Sequence, residues 1–316
     1  MPLRLCLIGA GHMGRIHARK LAGMKDVNLA CVIDTDPEQA SETARTYGAV
    51  SATQYARALE DGLKAAVVAS PTETHYPVAR LLLENGIHVF VEKPIAAHPA
   101  EARELIALAR KKGLVLQVGH LERFSPPFRK AQTTVRDPLL IEARRIGPFT
   151  GRSTDIDVVQ DLMIHDINLV LSLVKRDITR IDARGTPVLT EKIDVANARV
   201  EFAGGCIATL TASRVSRMRE RVFTIFEEGR YFSLNLAAGQ MFSAEKGTSG
   251  RMRRRTYQAV QPDPVHDELK AFVRAVRYGT EVLVNGEDGL AALVLAHTIK
   301  ETIARHLAAE DVSGSS

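Results

Sequence analysis

Between Leu3 and Gly14 the chain leaves few folds open. Leu3 to Ile8 is a short apolar run, long enough for a buried strand, and it breaks into Gly9-Ala10-Gly11-His12-Met13-Gly14, a G-x-G-x-x-G. Residues 15–24 then read as a helix. Gly9 permits the tight turn, Gly11 lets the backbone approach a pyrophosphate, and Gly14 lets the helix pack close on the strand. Unpaired N–H groups at the helix start face the phosphates in such a motif. A second apolar run, Val27 to Ile33, ends in Asp34, which follows Gly14 by 20 positions. An acid there reaches the ribose hydroxyls of an adenosine and repels a 2′-phosphate. Strand, glycines, helix, strand and acid in this order predict a dinucleotide site that prefers NAD. Arg15 and Arg45 keep NADP as an alternative.

Helix and strand signals continue to alternate. Asp36-Pro37 opens a helix that Gly48 closes, and 49–52 and 65–69 read as strands. A helix over 76–85 stops at Gly86, a strand over 88–91 runs into Glu92-Lys93-Pro94, and a helix over 100–112 precedes a strand over 114–118. This βαβα order predicts an α/β domain over 1–120, a doubly wound parallel sheet of the Rossmann kind. From 121 onward, strand-like segments follow one another with turns between them: 139–146, 195–202, 206–213, 221–226 and 231–236. Ala203-Gly204-Gly205 and Glu227-Glu228-Gly229 read as hairpin turns. Two helices, about 266–278 and 287–309, close the chain, and 312–316 reads as a disordered tail. Residues 121–316 are therefore expected to form an α+β domain with a largely antiparallel sheet.

Composition narrows the classes of ligand. The 316 residues suggest two domains, and 45% hydrophobic content supports real cores. No apolar run approaches the ~20 residues of a membrane span. The sequence enters its first strand directly, with no signal or transit segment, so a cytoplasmic protein without membrane partners is expected. Cys6, Cys31 and Cys206 lack metal-ligand spacing, and with no H-x-x-x-H or carboxylate cluster no metal is expected. The net charge of +5 suits an anionic cofactor or substrate. It does not call for nucleic acid: there is no Trp, and the densest basic run, Arg251-Met252-Arg253-Arg254-Arg255, reads as a solvated loop.

Several residues outside the glycine turn carry chemistry. In the apolar helix from Asp161 to Val174, the residues Asp161, His165, Asn168 and Ser172 share one face at about 100° per residue. Asp161 and His165 stand one turn apart, so the carboxylate can orient the imidazole and raise its basicity; a satisfied buried pair is the competing explanation. Lys93 ends a strand at the carboxyl edge of the sheet, where doubly wound folds bind ligands. There it holds a negative or polar substrate group or shuttles a proton; a surface Lys in a turn is the alternative. Ser70-Pro71-Thr72 and His75 end another strand on that edge, with Thr72 able to hydrogen-bond a ribose or nicotinamide amide. Glu122 and Arg123 fall at the expected domain junction, where Arg123 either holds an anionic substrate group or makes an interdomain salt bridge. His12 and His17 read as helix residues facing cofactor or solvent.

These stretches together resemble the Gfo/Idh/MocA family of oxidoreductases along nearly the whole chain. The resemblance lies in Gly9 to Gly14, Ser70-Pro71-Thr72-Glu73-Thr74-His75, Glu92-Lys93-Pro94, Asp161-x-x-x-His165, His266-Asp267-Glu268-Leu269 and Asn285-Gly286-Glu287-Asp288-Gly289-Leu290. It implies that Lys93, Asp161 and His165 are the catalytic set. It implies a cofactor-binding set of Gly9, Gly11, His12, Met13, Gly14, Asp34, Ser70, Pro71, Thr72, His75, Glu92 and Lys93, and an open-faced second sheet used for homodimer or homotetramer contacts. Within the family, residues 119–126 and 152–161 are similar to enzymes that oxidise the 3-hydroxyl of UDP-N-acetylglucosamine. A UDP-amino sugar bound by Lys93, Arg123, Arg152, Asp161 and His165 is the expected substrate. A dehydrogenase of inositol or another free sugar, and an NAD-binding sensor without turnover, are the alternatives. Whether Lys93 or His165 is the base stays open at this point.

Overall fold

The computed structural model describes residues 1–59, 62–151, 156–247 and 250–313. The chain forms two compact units: residues 1–124 with 263–290, and residues 125–262 with 291–316.

The N-terminal sheet is wholly parallel. Its strands β1 (Leu3–Ile8), β2 (Val27–Ile33), β3 (Val50–Ala52), β4 (Ala65–Val68), β5 (His88–Glu92) and β6 (Leu116–Gly119) lie in the order β3-β2-β1-β4-β5-β6. The helices α1 (His12–Ala22), α2 (Pro37–Tyr47), α3 (Thr72–Glu84) and α4 (Pro99–Lys112) alternate with them. Strand β4 is buried at every position, as expected of a central parallel strand covered on both faces. Helix α2 starts where Asp36 accepts hydrogen bonds from the amides of Glu38 and Gln39, and it stops at Gly48 with φ 70°. Two helices begin earlier than their sequence signals. Helix α1 starts at His12, which places Gly14 inside it, and α3 starts at Thr72, which places Thr72 and His75 in its first turns.

The second unit is built on an eight-stranded sheet. Helix α5 (Pro126–Gln132) precedes β7 (Leu140–Ile146), and a π-helical turn over Val159–Met163 leads into α6 (Ile164–Leu173). Then follow β8 (Ile178–Thr186), β9 (Val195–Phe202), β10 (Ile207–Ser213), β11 (Glu220–Glu227), β12 (Arg230–Asn235), β13 (Gln240–Lys246) and β14 (Met252–Gln258), in the sheet order β14-β13-β12-β11-β7-β10-β9-β8. Neighbouring strands are antiparallel except β7 and β10, which run parallel. One face carries the core: Ile141, Ala198, Val200, Leu210, Phe223, Ile225 and Leu234 pack with Ile167 and Val170 of α6. On the opposite face Glu142, Arg144 and Arg199 are exposed. Strands β8, β13 and β14 have no counterpart in the sequence reading. The basic run expected as a loop lies in β14, where Arg253 stands opposite Glu245 and Arg255 opposite Ser243. Its charges suit an edge strand, where they discourage pairing with another chain.

Two helices return from the end of the chain. Helix α7 (Pro264–Tyr278) belongs to the first unit, and its Leu269, Phe272 and Val273 share a core with Leu5, Leu7, Ala18, Leu21 and Phe90. Lys20 of α1 reaches Asp263, the N-cap of α7, at 2.5 Å. The first unit is thus discontinuous, unlike the unbroken division at 120 expected from sequence. The spacing of Leu269, Phe272 and Val273 reveals an apolar helix face; it does not say which sheet covers that face. Helix α8 (Gly286–Ser313) contributes Leu295, Ala296 and Ile299 to the second unit's core. Among the described residues, no helix is long and apolar enough to cross a membrane.

Helix α6 is fastened to its sheet by one ion pair. Arg145 of β7 donates from Nε and Nη2 to the two carboxylate oxygens of Asp166 at 3.0 and 2.8 Å, with both side chains buried. Removing one partner of such a pair strands the other charge. Asp166→Ala should therefore destabilise the second unit by about 3–5 kcal/mol. Glu201→Ala, which removes a pair with Arg199 on the open face, should leave the urea midpoint unchanged. Equal midpoint shifts in the two variants would contradict this.

Candidate active site

The glycine turn has the shape its sequence requires. Gly9 adopts φ 95°, and a Cβ there would stand 2.5 Å from the carbonyl carbon of Ala69. A Cβ on Gly14 would fall 1.9 Å from the carbonyl oxygen of Gly9. At Gly11, by contrast, a Cβ would meet nothing within 4 Å, which leaves open space beside the backbone for a phosphate. The carboxylate of Asp34 is held against the turn. It accepts from the Ala10 amide at 2.6 Å and from the Asp36 amide at 2.9 Å. Arg15 reaches back to the Ala10 carbonyl at 3.1 Å, so its guanidinium lies at the same turn. His12 is exposed and Met13 half-buried at the helix start. The cradle therefore fits a dinucleotide on its own geometry.

Two further loops meet at this sheet edge. His75 is buried, with ring nitrogens 2.8 Å from the carbonyl oxygens of Pro94 and Ser70, so it ties the end of β4 to the turn after β5. Burial lowers its pKa, although both carbonyls oppose this. A neutral ring donates to one of the two. Ser70 and Thr74 join their hydroxyls at 2.6 Å, Thr72 is half-buried, and Pro71 is exposed. Lys93 is half-buried and precedes a cis Pro94. Nearby His120 is held down to about 3, first by burial and then by the charges of Lys93 and Arg123. It is neutral at physiological pH.

Beneath Lys93 lies a cluster that sequence reading missed. His17 does not face cofactor or solvent, as expected; it is fully buried, and its Nε2 lies 2.6 Å from Oε1 of Glu92. At 3.6 residues per turn, His17 shares the inner face of α1 with the buried Gly14, Ala18 and Leu21. Glu268 of α7 is also fully buried beside them. Burial first, then the charges of Glu92 and Glu122, raise its pKa well above the ordinary carboxyl range. Only the His266-Asp267-Glu268-Leu269 motif hinted at Glu268, and a motif does not disclose a partner 176 positions away at Glu92.

In the second unit, Asp161 sits in the π-helical turn and His165 in the first turn of α6, both half-buried. The expected single α-helix from Asp161 is therefore broken into a wider turn and a regular helix. Asp157 caps the wide turn, its Oδ1 accepting from the amides of Val159 and Gln160 at 3.0 Å. Lys300 of α8 holds Asp157 at 2.8 Å and Gln160 at 2.9 Å. Asn168 and Ser172 continue the stripe but are buried, and the Ser172 hydroxyl donates to the Leu169 carbonyl at 2.8 Å. Arg123 is 6% exposed, lies 3.7 Å from Asp288 and donates to the Leu283 carbonyl at 3.2 Å, all within the first unit. The ion pair thus lies inside the first unit, where the sequence had suggested one between domains. Arg152 lies outside the described residues.

Residues 3–120 match a family model described as an oxidoreductase family with an NAD-binding Rossmann fold, and residues 129–232 match the GFO/IDH/MocA C-terminal domain. The chain is 32% identical to UDP-N-acetylglucosamine 3-dehydrogenase of Acidithiobacillus ferrooxidans, over 95% of this chain and 97% of that protein. A solved structure of that enzyme matches with a TM-score of 0.90, covering 96% of this chain and 98% of the other. Inositol 2-dehydrogenase of Rhizobium meliloti is 25% identical over 96% of this chain and 98% of its own. Levoglucosan dehydrogenase, solved with NADH and levoglucosan, shares the fold at a TM-score of 0.87 and 19% identity, covering 96% of this chain and 98% of that one.

The buried acid makes stability depend on pH. Glu268 has a folded pKa above its unfolded value of about 4.3, so its stabilising contribution is complete below that pH and is lost as pH rises toward the folded pKa. Glu268→Gln does not titrate. Its melting temperature minus that of the unaltered protein should therefore increase between about pH 5 and pH 8. A difference that stays flat with pH would show that Glu268 titrates normally.

Proposed function

Because the chain belongs to the Gfo/Idh/MocA oxidoreductase family and carries its NAD-binding Rossmann domain, we propose that it oxidises the 3-hydroxyl of UDP-N-acetylglucosamine. The coarser activity, NAD-dependent dehydrogenation of a sugar, is common to the UDP-sugar and inositol enzymes it resembles. What carries the choice of substrate is the higher identity to the UDP-sugar enzyme over a nearly equal share of the chain. The glycine turn and Asp34 would hold NAD, which would supply the hydride acceptor for the sugar carbon. His165 takes the hydroxyl proton as that hydride leaves, and Asp161 orients the imidazole and stabilises its charged form. Lys93 donates to the reacting oxygen and offsets the negative charge that develops there. Asp34 receives the adenosine ribose hydroxyls and excludes a 2′-phosphate. Arg152 is the proposed partner of the substrate diphosphate, since Arg123 is already paired with Asp288.

A panel of UDP-N-acetylglucosamine, UDP-glucose, free N-acetylglucosamine and myo-inositol, each with NAD and with NADP, tests the reading. Cofactor reduction and product mass are recorded, with an aminotransferase and glutamate to trap the ketone. Turnover of UDP-N-acetylglucosamine with NAD is expected, and NADP should serve less well. Turnover of inositol or a free sugar alone would overturn the substrate and leave the dehydrogenase. Lys93→Met and His165→Asn should each lower kcat by ~10²–10⁴-fold while NAD still binds. Unchanged rates in both variants would remove the catalytic assignment.

A further inference from the structure

The first unit buries two carboxyls against one imidazole. His17, Glu92 and Glu268 each offer a nitrogen or oxygen within 4.8 Å of the others, and none of the three exceeds 7% exposure. Glu92 is well supplied with donors: its Oε1 faces His17 at 2.6 Å, and its Oε2 accepts from the Lys93 amide at 3.2 Å. Glu268 is not, because neither of its oxygens has a hydrogen-bond partner. The three groups have the composition of a metal centre, but the spacing argues otherwise. Two donors on one tetrahedral zinc, each ~2.0–2.1 Å from the ion, stand roughly 3.3 Å apart. The 2.6 Å contact is that of a shared proton. Two carboxylates this close cannot both stay ionised in a dry interior. Glu268, with no donor on either oxygen, is pushed toward its protonated form by burial and by the neighbouring carboxylates.

We propose that Glu92 is a positioning residue for Lys93, its carboxylate joining the Lys93 backbone to His17 on helix α1. The inference rests on the catalytic role given to Lys93 above. Strand β5 ends at Glu92, so the next residue enters a turn without a ladder of strand hydrogen bonds to fix it. The Glu92 side chain restrains it by accepting from the Lys93 amide. On its far side it grips the helix that begins at the glycine turn, so the Lys93 backbone is referenced to the cofactor cradle. Neighbouring residues make room for this. A Cβ on Gly119 of β6 would stand 3.0 Å from Oε2 of Glu92 and 3.1 Å from the Phe90 ring. The His17 ring, in turn, is seated edge-on to Phe90 at 5.4 Å between centroids. Glu92 was expected to bind cofactor; with both oxygens engaged inside the protein, its contribution is to hold Lys93 instead.

The test compares the full-length protein with Glu92→Ala, Glu92→Gln and Lys93→Met. Exchange of the Lys93 backbone amide, followed by NMR, needs no substrate. NAD affinity is measured by titration, bound zinc by elemental analysis, and turnover with UDP-N-acetylglucosamine and its 3-deuterated form. In Glu92→Ala the Lys93 amide should exchange about tenfold faster or more. Its kcat should fall ~10²-fold with KM and NAD affinity within about threefold, and the deuterium isotope effect should rise as hydride transfer becomes the slow step. Glu92→Gln keeps an acceptor for the amide and should fall between; it also serves if the alanine variant does not fold. Unchanged exchange at Lys93, a wild-type rate in a folded Glu92 variant, or one equivalent of bound zinc would each overturn the proposal. If the unaltered protein does not turn over this sugar, the substrate reading fails, and exchange at Lys93 alone decides whether Glu92 holds the backbone. If Lys93→Met turns over normally, the catalytic role of Lys93 fails and the positioning role falls with it.

Discussion

Helix α1 approaches the first strand so closely that only hydrogen fits between them. The 1.9 Å that would separate a Cβ of Gly14 from the Gly9 carbonyl leaves no alternative residue at that crossing. Everything else at the cofactor edge follows from it. The close crossing sets where the amides of the first helical turn point, and the same crossing carries His17 inward to Glu92. Asp34 then closes the arrangement by accepting from the Ala10 amide, so the residue proposed to receive the ribose also braces the glycine turn. One steric fact thus links the recognition of the dinucleotide to the backbone that presents Lys93.

Each unit also supports its candidate reactive residue in the same way. Glu92 precedes Lys93 and is paired with a cationic or proton-donating ring from another element. Asp166 follows His165 and is paired with Arg145 from the sheet. In both cases a buried carboxylate immediately next to the reactive residue fixes the backbone, leaving the reactive side chain half-buried. Such pairs add little net stability compared with apolar packing, but breaking them is costly, so they define one arrangement rather than strengthen many. The Asp157–Lys300 contact does similar work at the π-helical turn that carries Asp161.

The parallel sheet was readable from the sequence because each of its parts carries a local signal. Asp36-Pro37 marks a helix start, Gly48 and Gly113 mark helix ends, and the glycine turn announces the first crossover. The second sheet was readable only where strands alternate cleanly, as β9 does with its buried Ala196, Ala198 and Val200. Strand β14 hid because nearly every residue in it is exposed, so no alternation betrays it. The candidate site divides similarly. Lys93 and the Asp161–His165 pair became candidates through their neighbours in sequence. Glu268, Asp166 and Lys300 did not, because each owes its importance to a partner that lies far away along the chain. The π-helical turn escaped for a related reason: a one-residue widening leaves the apolar pattern of the helix almost intact.

The return of helix α7 to the first unit bears on how the protein is made. Residues 1–124 leave a ribosome long before Leu269, Phe272 and Val273, which complete their core. At ~5–20 residues per second, the N-terminal sheet waits several seconds or more for its last helix. During that interval the faces of Leu5, Leu7, Ala18 and Phe90 that α7 covers stand open, and the ring of His17 and the carboxylate of Glu92 are still wet. Arrival of α7 drives out that water and brings in Glu268 at the same moment. Docking of α7 also commits Glu268 to an interior that favours its protonated form, so a lower pH favours the docked helix.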